Sequence, residues 1–340
     1  MGKNNSGKKE NKKKFSSGTK TFKPKYLLLG FLLLLVGIYG IMYNPANSIN
    51  ASANSTNASA NSTKALAQWE VSDSGVLSFS PREKPVFTAQ TIEDKYAPQK
   101  PDTVKLLSFD SKGDKIQALL RIPANSTSSL PYPGIVLLPG ATVSKEAEQG
   151  LAIELSKMGY ATIAIDQRNL GSINFEKDLE LFKTGVEPVE YSMVYDALKA
   201  ADVLAAQPEI DPKKLAILGE SNGGRFAVIA CALDPSLKGI VGISTSGYGT
   251  EDINPASAKD SKTYRFYRSV DPDTYLPDLP PAKFVMIHSL NDPLIPYDSA
   301  VKTFAISKEP KAMYNVSDAV HGYTGSMRPY LEKEFATIFS

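Results

Sequence analysis

A serine between two glycines is the residue of this chain with the clearest chemical potential. Ser221 is the centre of residues 219–223, which read Gly-Glu-Ser-Asn-Gly, and Gly224 adds a further small residue. A serine hydroxyl becomes a nucleophile when a neighbouring base removes its proton and a third group orients that base. The motif therefore predicts acyl transfer through Ser221 and requires a histidine and an acid elsewhere in the chain.

Few residues can supply that base and acid. The chain has only two histidines. His321 follows a strand-like run, 312–316, and is predicted to be the base, whereas His288 ends an apolar strand and is predicted to be structural, with the base role as its alternative. Asp292 follows the apolar run 284–288, lies between the serine and His321 in chain order, and is predicted to be the acid. Asp318 is the rival acid.

An acyl transfer also needs backbone N–H groups that bind the developing oxyanion. The residue after the nucleophile supplies one, which here is Asn222. The second is expected from the loop after the apolar run 134–138, where Ala141 offers its N–H group. We expect Thr142 or Ser144 to cap the next helix, whose positive end would then point at this site.

The neighbours of the serine give the motif its meaning. The apolar run 214–218 precedes it and a helical stretch, 225–233, follows it, which is the setting of a sharp strand-to-helix turn. At such a turn side chains in place of Gly219 and Gly223 would collide with the adjacent strand and helix, while the serine stands clear of the sheet. The alternative is an ordinary loop with an idle serine.

Strands and helices alternate through the body of the chain. Residues 104–109 and 115–122, joined by turn residues, predict a hairpin. After it come five continuous apolar runs typical of strands covered on both faces, namely 134–138, 161–165, 214–218, 240–244 and 284–288. Residues 146–158 and 187–206 have helical periodicity. The pattern predicts an α/β fold with a mostly parallel, doubly wound sheet between layers of helices.

Residues 248–281 interrupt this alternation. They contain polar residues, prolines and five aromatic residues, Tyr248, Tyr264, Phe266, Tyr267 and Tyr275. Ligands of open α/β sheets bind beyond the carboxyl ends of the strands, where an insertion at this point would lie over the site. We interpret the segment as a short cap that contacts substrate. The alternative is that its aromatic residues only pack a long connection.

These features resemble the α/β-hydrolase superfamily over roughly residues 100–340. Residues 166–171, Asp-Gln-Arg-Asn-Leu-Gly, are similar to an Asp-x-Arg-Gly-x-Gly loop of these proteins, and 221–224, Ser-Asn-Gly-Gly, to the elbow of dienelactone-hydrolase-like and prolyl-oligopeptidase-like proteins. The resemblance implies a Ser-His-Asp triad of Ser221, His321 and Asp292. One departure is Pro139-Gly140, which stands where the superfamily usually has His-Gly and argues against a lipase.

The resemblance implies a serine hydrolase that cleaves carboxylic esters or related acyl bonds of a small molecule. A serine peptidase of prolyl-oligopeptidase type is the alternative, and it would need an acidic group near the cap to hold a substrate amine, with Glu251 and Asp252 as candidates. A second alternative is a surface binding protein on an inactive hydrolase scaffold. We predict no cofactor and no metal ion, and the sequence predicts no oligomeric state.

The charge distribution excludes nucleic acid as a partner. The whole chain carries a formal charge of +2, but residues 1–25 hold nine lysines and one glutamate, so the remainder carries −6. A body of that sign has no basic surface for phosphates. The single cysteine, Cys231, lies in an apolar run and is predicted to be a buried thiol.

The first 43 residues predict a membrane anchor. After the basic tail 1–25 come 18 uncharged residues, 26–43, which as a helix would span about 27 Å. The lysines before this segment place the N-terminus in the cytoplasm and the catalytic domain outside it. A cleaved signal peptide is the alternative. The start Met1-Gly2 also fits a myristoylation pattern, which a spanning helix would make redundant.

Residues 44–66 predict a disordered tether of Asn, Ser and Ala, followed by an N-terminal extension, 67–100, and the hydrolase domain, 101–340. The tether carries four candidate glycosylation sites, although its composition alone generates such sequons. They are Asn50, Asn54, Asn57 and Asn61. Asn125 is a further candidate in a loop, whereas Asn315 is in a predicted strand and is expected to be unmodified.

Overall fold

The computed structural model describes residues 1–2, 68–99, 102–124, 131–250 and 260–340. The chain divides into two units, Met1–Lys64 and Ala65–Ser340, and the fold and the site belong to the second. Within the described part of the chain, no helix combines the length and the apolar character needed to cross a membrane. The predicted anchor, the tether, its four sequons, Asn125, Glu251 and Asp252 all lie outside the described residues.

Eleven strands are described. They are β1 (Trp69–Val71), β2 (Leu77–Phe79), β3 (Phe87–Ile92), β4 (Thr103–Ser111), β5 (Asp114–Ile122), β6 (Tyr132–Leu138), β7 (Ala161–Ile165), β8 (Ile210–Glu220), β9 (Leu237–Ile243), β10 (Lys283–Ser289) and β11 (Lys311–Val316). Nine of them form one sheet in the order β11-β10-β9-β8-β6-β7-β5-β4-β3, and β1 pairs with β2 alone. Strands β6 to β11 are parallel to their neighbours within that set, while β3, β4 and β5 extend the sheet antiparallel.

The sheet confirms the predicted α/β architecture with a mostly parallel sheet. All five residues of β7 are buried, as a strand with helices on both faces requires. The predicted hairpin is β4 and β5, paired from Thr103 with Ile122 to Ser111 with Asp114. Residues 87–92, which the sequence placed in an extension, form the edge strand β3.

Seven helices are described. They are α1 (Gln149–Lys157), α2 (Phe175–Thr184), α3 (Val189–Ala205), α4 (Asn222–Leu233), α5 (Ser261–Val270), α6 (Tyr297–Ile306) and α7 (Arg328–Ile338). Apolar residues of α1 and α7 pack on one face of the sheet, and those of α3 and α4 pack on the other. The sheet is therefore covered on both faces, which is the doubly wound arrangement that the sequence predicted.

The start of α1 differs from the sequence prediction. The helix begins at Gln149 rather than at 146, and its N-cap, Glu148, makes no side-chain capping bond. Ser144 accepts a hydrogen bond from the Ala147 N–H at 3.4 Å within the preceding turns, and Thr142 has φ +69. The prediction that Thr142 or Ser144 caps this helix is therefore wrong, because 145–148 form turns instead of a first helical turn.

The segment predicted as a cap contributes to the core. Phe266 of α5 is fully buried and packs on Phe182 of α2, with ring centroids 5.7 Å apart. Tyr275 is also buried, and its hydroxyl donates to the Ser269 carbonyl at 2.7 Å and accepts from the Leu77 N–H at 3.0 Å. The interpretation of these aromatic residues as substrate contacts is wrong for Phe266 and Tyr275, whose rings stabilise the fold.

Candidate active site

Ser221 is the only residue between β8 and α4. Its backbone has φ +52 and ψ −119, a conformation that L-residues rarely adopt. Its N–H donates to the Ile243 carbonyl at 2.9 Å, and its carbonyl accepts from the Thr245 hydroxyl at 2.8 Å. Backbone strain of this kind persists where surrounding contacts hold the residue, and it is concentrated at functional sites. The chain makes a sharp turn here with the serine at its apex.

The glycines around Ser221 are required by close packing. A Cβ at Gly219 would lie 2.3 Å from the Gly223 carbonyl oxygen, and a Cβ at Gly223 would lie 2.2 Å from the Leu138 carbonyl oxygen at the end of β6. A Cβ at Gly224 would lie 2.7 Å from Cβ of Thr245. Real Cβ atoms do not approach so closely, so the turn can form only without side chains at these three positions.

His321 is hydrogen-bonded to Asp292. Its Nδ1 lies 3.0 Å from each carboxylate oxygen, and the Asp292 side chain is fully buried. The carboxylate also accepts N–H groups of Leu294 and Ile295 at 2.8 and 2.9 Å. Burial alone would raise the pKa of Asp292, but these hydrogen bonds, that of His321 foremost, outweigh it and hold the pKa below its usual value. An ionised carboxylate therefore fixes the imidazole with Nδ1 as donor.

The alternative base and acid are engaged elsewhere. His288 is fully buried, its Nε2 lies 2.9 Å from the Ile295 carbonyl oxygen, and burial lowers its pKa. Its Nε2 is also 3.8 Å from an Asp292 oxygen, so Asp292 lies between both imidazoles. Asp318 accepts hydroxyl hydrogen bonds from Thr324 and Ser326. Asp318 therefore does not orient His321.

Ser221 and His321 are brought together through their chain neighbours. Glu220 accepts a hydrogen bond from the Tyr323 N–H at 2.8 Å, and a Cβ at Gly322 would lie 3.3 Å from a Glu220 oxygen. Among the described residues no hydrogen bond joins the Ser221 hydroxyl to the imidazole. Such bonds often tighten only when substrate is bound. The geometry places the two side chains on adjoining loops at the carboxyl edge of the sheet.

The loop after β6 lies against Ser221. A Cβ at Gly140 would be 3.4 Å from Cβ of Ser221, and Thr142 donates its N–H to the Leu170 carbonyl at 2.6 Å. Within the described part of the chain, neither the Ala141 N–H nor the Asn222 N–H donates to another residue. Both groups thus remain free to bind an oxyanion formed at Ser221.

Side chains of α4 hold the surroundings of this loop. The Asn222 amide donates to the Gly171 carbonyl at 3.2 Å, and Arg225 in turn donates to the Asn222 amide oxygen. Arg225 also donates to the Ser246 carbonyl at 2.8 Å, and its guanidinium lies 4.2 Å from the ring centroid of Tyr248. In the sequence Arg225 only marks the start of a predicted helix, since no local pattern indicates that the Ser246 carbonyl and the Tyr248 ring are its partners.

Two buried carboxyl groups lie near the base. Burial, followed by the charge of Glu220, raises the pKa of Glu148 to about 8, and burial likewise raises the pKa of Glu220. In the described structure Oε1 of Glu148 is buried without a hydrogen-bond partner. Because Glu220 accepts the Tyr323 N–H while Oε1 of Glu148 has no donor among the described residues, we assign the proton to Glu148 at neutral pH.

Aliphatic side chains are exposed on the loops that carry the site. Leu290 and Leu294 flank Asp292 and are 44% and 42% exposed, and Val320, next to His321, is 43% exposed. Leu170, whose carbonyl binds the loop of Ala141, is 48% exposed. Apolar surface on the loops of a candidate site often marks a place where ligand binds. We call these four residues the aliphatic rim.

The sequence matches a family of esterases over part of its length. Residues 99–245 match the family described as acetyl xylan esterase (AXE1), a stretch that is less than half of the chain and includes Ser221 but neither Asp292 nor His321. The uncharacterized protein YfhR of Escherichia coli O157:H7 is 22% identical over 235 residues, which cover 67% of this chain and 77% of that protein.

Solved structures of similar fold include esterases. An acetyl xylan esterase from Paenibacillus sp. R4 has a TM-score of 0.62 at 17% identity, and the aligned region covers 75% of this chain and 89% of that esterase. A glucuronoyl esterase from Solibacter usitatus has a TM-score of 0.58 at 14% identity, and the aligned region covers 79% of this chain and 90% of that esterase. Likeness at such identities shows the fold alone, and this chain has the α/β-hydrolase fold.

Proposed function

We propose that this protein is a serine esterase that cleaves carboxylic esters through an acyl-enzyme formed on Ser221. One observation carries the proposal, namely a strained serine on a strand-to-helix turn beside the loop of a histidine whose Nδ1 is bound by a buried carboxylate. A nucleophile, a base and an orienting acid in this relation are the parts that acyl transfer requires. The match to the acetyl xylan esterase family supports the ester as the bond attacked.

The first half of the reaction acylates the serine. The Ser221 Oγ attacks the ester carbonyl carbon while Nε2 of His321 accepts the hydroxyl proton. Asp292, bonded to Nδ1, stabilises the imidazolium that forms. The carbonyl oxygen becomes an oxyanion, to which the N–H groups of Ala141 and Asn222 donate. As the tetrahedral intermediate collapses, the imidazolium gives its proton to the departing alkoxide and an alcohol leaves.

The second half releases the acid. Water attacks the acyl-enzyme carbonyl, and His321 accepts its proton, so the second tetrahedral intermediate forms at the same N–H groups. Ser221 leaves with the proton from the imidazolium, and a carboxylic acid is released. Nε2 of His321 is the base in both halves of the reaction, so both halves depend on the tautomer that Asp292 fixes.

A serine peptidase or amidase remains the second candidate, because it would use every residue named above. The dienelactone-hydrolase-like and prolyl-oligopeptidase-like resemblance of residues 221–224 favours it no less than an esterase. Its acidic candidates for binding a substrate amine, Glu251 and Asp252, lie outside the described residues. A panel of acyl esters and aminoacyl amides separates the two: an esterase cleaves the esters and leaves the amides intact.

Labelling with a fluorophosphonate tests the nucleophile. We expect the full-length protein to take up one probe per chain and Ser221→Ala to take up none, while Ser74→Ala, at an exposed serine far along the chain, labels like the wild type. Equal labelling of wild type and Ser221→Ala would refute the assigned nucleophile. If the folded wild type neither labels nor hydrolyses any ester, the third candidate, a binding protein on a hydrolase scaffold, is favoured instead.

We also propose that residues 26–43 anchor the protein in the membrane with the catalytic domain outside the cytoplasm. The length, apolar character and preceding lysines of this segment support the proposal. We expect the wild type in the membrane fraction and a variant lacking 26–43 in the soluble fraction. Protease added to intact cells should digest the catalytic domain and spare an epitope at the N-terminus, and the reverse pattern would contradict this orientation.

A further inference from the structure

We propose that Glu220, the residue before the nucleophile, is a positioning residue that together with Ser244 fixes the loop of His321. The proposal rests on the proposed function, because it concerns the base of that reaction. It adds a role for the side chain at the variable second position of the Gly-x-Ser-x-Gly motif. The role follows from contacts that join the end of β8 to a loop about a hundred residues further along the chain.

Two successive N–H groups after His321 are held by side chains from two different strands. The Gly322 N–H donates at 3.0 Å to the hydroxyl oxygen of Ser244, the residue directly after β9. The Tyr323 N–H donates at 2.8 Å to Oε1 of Glu220, the last residue of β8. Asp292, after β10, holds the imidazole itself. The loop of the base is therefore attached to the carboxyl ends of three neighbouring strands.

The conformation of the loop depends on this attachment. Gly322 has φ +97, in the left-handed region, and a Cβ there would lie 3.3 Å from Oε2 of Glu220. Ser244 also has a positive φ, +49, and is fully buried. Loops without regular secondary structure owe their conformation to such contacts. Without the two acceptors, His321 would keep its bond to Asp292, but the two N–H groups that follow it would lose their partners.

The position of the base affects the rate of the reaction more than it affects the binding of substrate. A base displaced by about 1 Å from the serine hydroxyl reduces the rate by about 100-fold. Substrate binding does not require the base, so loss of the attachment should lower kcat and leave KM unchanged. A carboxylate makes a stronger hydrogen bond to an N–H group than an amide oxygen does, but an amide oxygen still accepts. Glutamine at 220 should therefore preserve most of the attachment and alanine should abolish it.

A structural role alone predicts a different result. If Glu220 only supported the fold, replacing it would lower the unfolding temperature and leave kcat of the folded molecules unchanged. Glu148 is neutral, so no charge repulsion is relieved in Glu220→Ala, and the Tyr323 N–H loses its acceptor. We therefore expect Glu220→Ala to unfold below the wild-type temperature but to be folded in the assay. A variant that is folded in the assay and loses kcat separates positioning of the base from support of the fold.

The test compares wild type, Glu220→Gln, Glu220→Ala and Ser244→Ala as full-length chains with p-nitrophenyl acetate. We expect kcat to fall about 30-fold in Glu220→Ala and about 10-fold in Ser244→Ala, with KM within 2-fold of wild type. Glu220→Gln should stay within about 3-fold. The proposal is overturned if Glu220→Ala retains kcat within 2-fold, or if Glu220→Gln loses as much as Glu220→Ala while remaining folded.

A spectroscopic measurement keeps the inference independent of the reaction. A proton on Nδ1 bonded to a carboxylate gives a strongly deshielded proton resonance, and Asp292→Asn assigns it by removing it. We expect that resonance in wild type and Glu220→Gln and its loss to exchange broadening in Glu220→Ala. A wild type without ester hydrolysis would refute the proposed function and leave this readout intact. A resonance unchanged in folded Glu220→Ala would refute the positioning role by itself.

Discussion

The turn of Ser221 and the loops of Asp292 and His321 are built by different means. At the turn the backbone is fixed by exclusion, since Gly219, Gly223 and Gly224 leave no room for a Cβ. At the loops the backbone is fixed by polar contacts, with side-chain oxygens of Glu220, Ser244 and Asp292 accepting N–H groups. Steric exclusion tolerates almost no change, whereas a hydrogen bond can be weakened in steps.

The difference predicts two kinds of variant. Substitutions at the turn should affect folding and activity together, because the nucleophile and the packing of β6, β8 and α4 share the same atoms. Substitutions at the loops should affect the rate while the fold persists, because polar contacts between loops add little to the core.

Asp292→Asn should cause the greatest loss of rate at the loops. The amide keeps an oxygen for the Leu294 and Ile295 N–H groups, so the loop should keep its shape, but it no longer stabilises the imidazolium or enforces its tautomer. We expect kcat for an aryl ester to fall about 10⁴-fold. Thermal unfolding measured by circular dichroism should shift by only a few degrees.

Asp318→Asn is the matched control for that variant. Asp318 is three residues from His321, and its carboxylate binds the hydroxyls of Thr324 and Ser326 instead of the imidazole. The kcat of this variant should stay within about 2-fold of wild type, because the Asp318 carboxylate does not bind the imidazole, and its stability should change by no more than about 0.5 kcal/mol. A loss in Asp318→Asn comparable to that in Asp292→Asn would show that the acid has been assigned to the wrong residue.

Gly223→Ala should have the largest effect on the fold. Its Cβ would lie 2.2 Å from the Leu138 oxygen and 2.4 Å from the Pro139 oxygen, so the end of β6 and the turn must separate. We expect the free energy of unfolding to decrease by about 3 kcal/mol, as measured by urea titration, and fluorophosphonate labelling to fail with it.

Gly150→Ala in α1 is the control for adding a methyl group to glycine. A Cβ at Gly150 meets nothing within 4 Å, and the residue lies in a helix, where alanine is favoured. The free energy of unfolding should increase by about 0.5 to 1 kcal/mol, with activity unchanged. If Gly223→Ala and Gly150→Ala changed the free energy of unfolding equally, steric exclusion of a Cβ would not be what fixes the backbone at the turn.

Glu148→Gln should alter how stability depends on pH. The pKa of Glu148 is raised to about 8 in the fold, against about 4.3 in an unfolded chain. Between these values the folded state binds a proton that the unfolded state releases, so this group makes the wild type less stable as pH rises. The variant should therefore unfold at a higher temperature than wild type at pH 8 and at a similar one near pH 4. If the unfolding temperatures of wild type and Glu148→Gln differed by the same amount at pH 4 and at pH 8, the assignment of the proton to Glu148 would be contradicted.

Substitutions in the aliphatic rim should have the smallest effects. Leu294→Ser and Val320→Ser remove apolar surface beside Asp292 and His321 without touching their hydrogen bonds. We expect kcat/KM for a butyrate ester to fall about 3-fold relative to that for an acetate ester, since a pocket discriminates weakly between chains that differ in methylene groups. Val86→Ser, at a residue 76% exposed outside the rim, should leave the ratio unchanged.

Local patterns were sufficient for the sheet and for the turn. Four of the five apolar runs lie within strands of the parallel sheet, and the fifth, 240–244, extends one residue past β9. A strand buried on both faces has to be continuously apolar, and Gly219 and Gly223 have the spacing that a sharp turn imposes. Chain order placed Asp292 beside His321, but not the contacts of Glu220 and Ser244. Those contacts join residues 103 and 78 positions apart and leave no periodic signal.

The errors have the same origin. Phe266 and Tyr275 were assigned to substrate because aromatic residues in an insertion suit a cap, yet their partners are Phe182 and Leu77, far away in the chain. The first turn of α1 was lost because Asp166 binds both the N–H and the ammonium of Lys145. In each case a tertiary contact overrode a local preference.

The unequal exposure of the two histidines makes the site addressable by a simple reagent. The His288 side chain is 0% exposed and that of His321 is 18% exposed, and no third imidazole exists in the chain. Diethyl pyrocarbonate should therefore acylate one histidine per folded molecule, and inactivation should follow first-order kinetics with a stoichiometry of one. A second equivalent should react only after denaturation, so the absorbance of the modified imidazole would count intact active sites in a preparation directly.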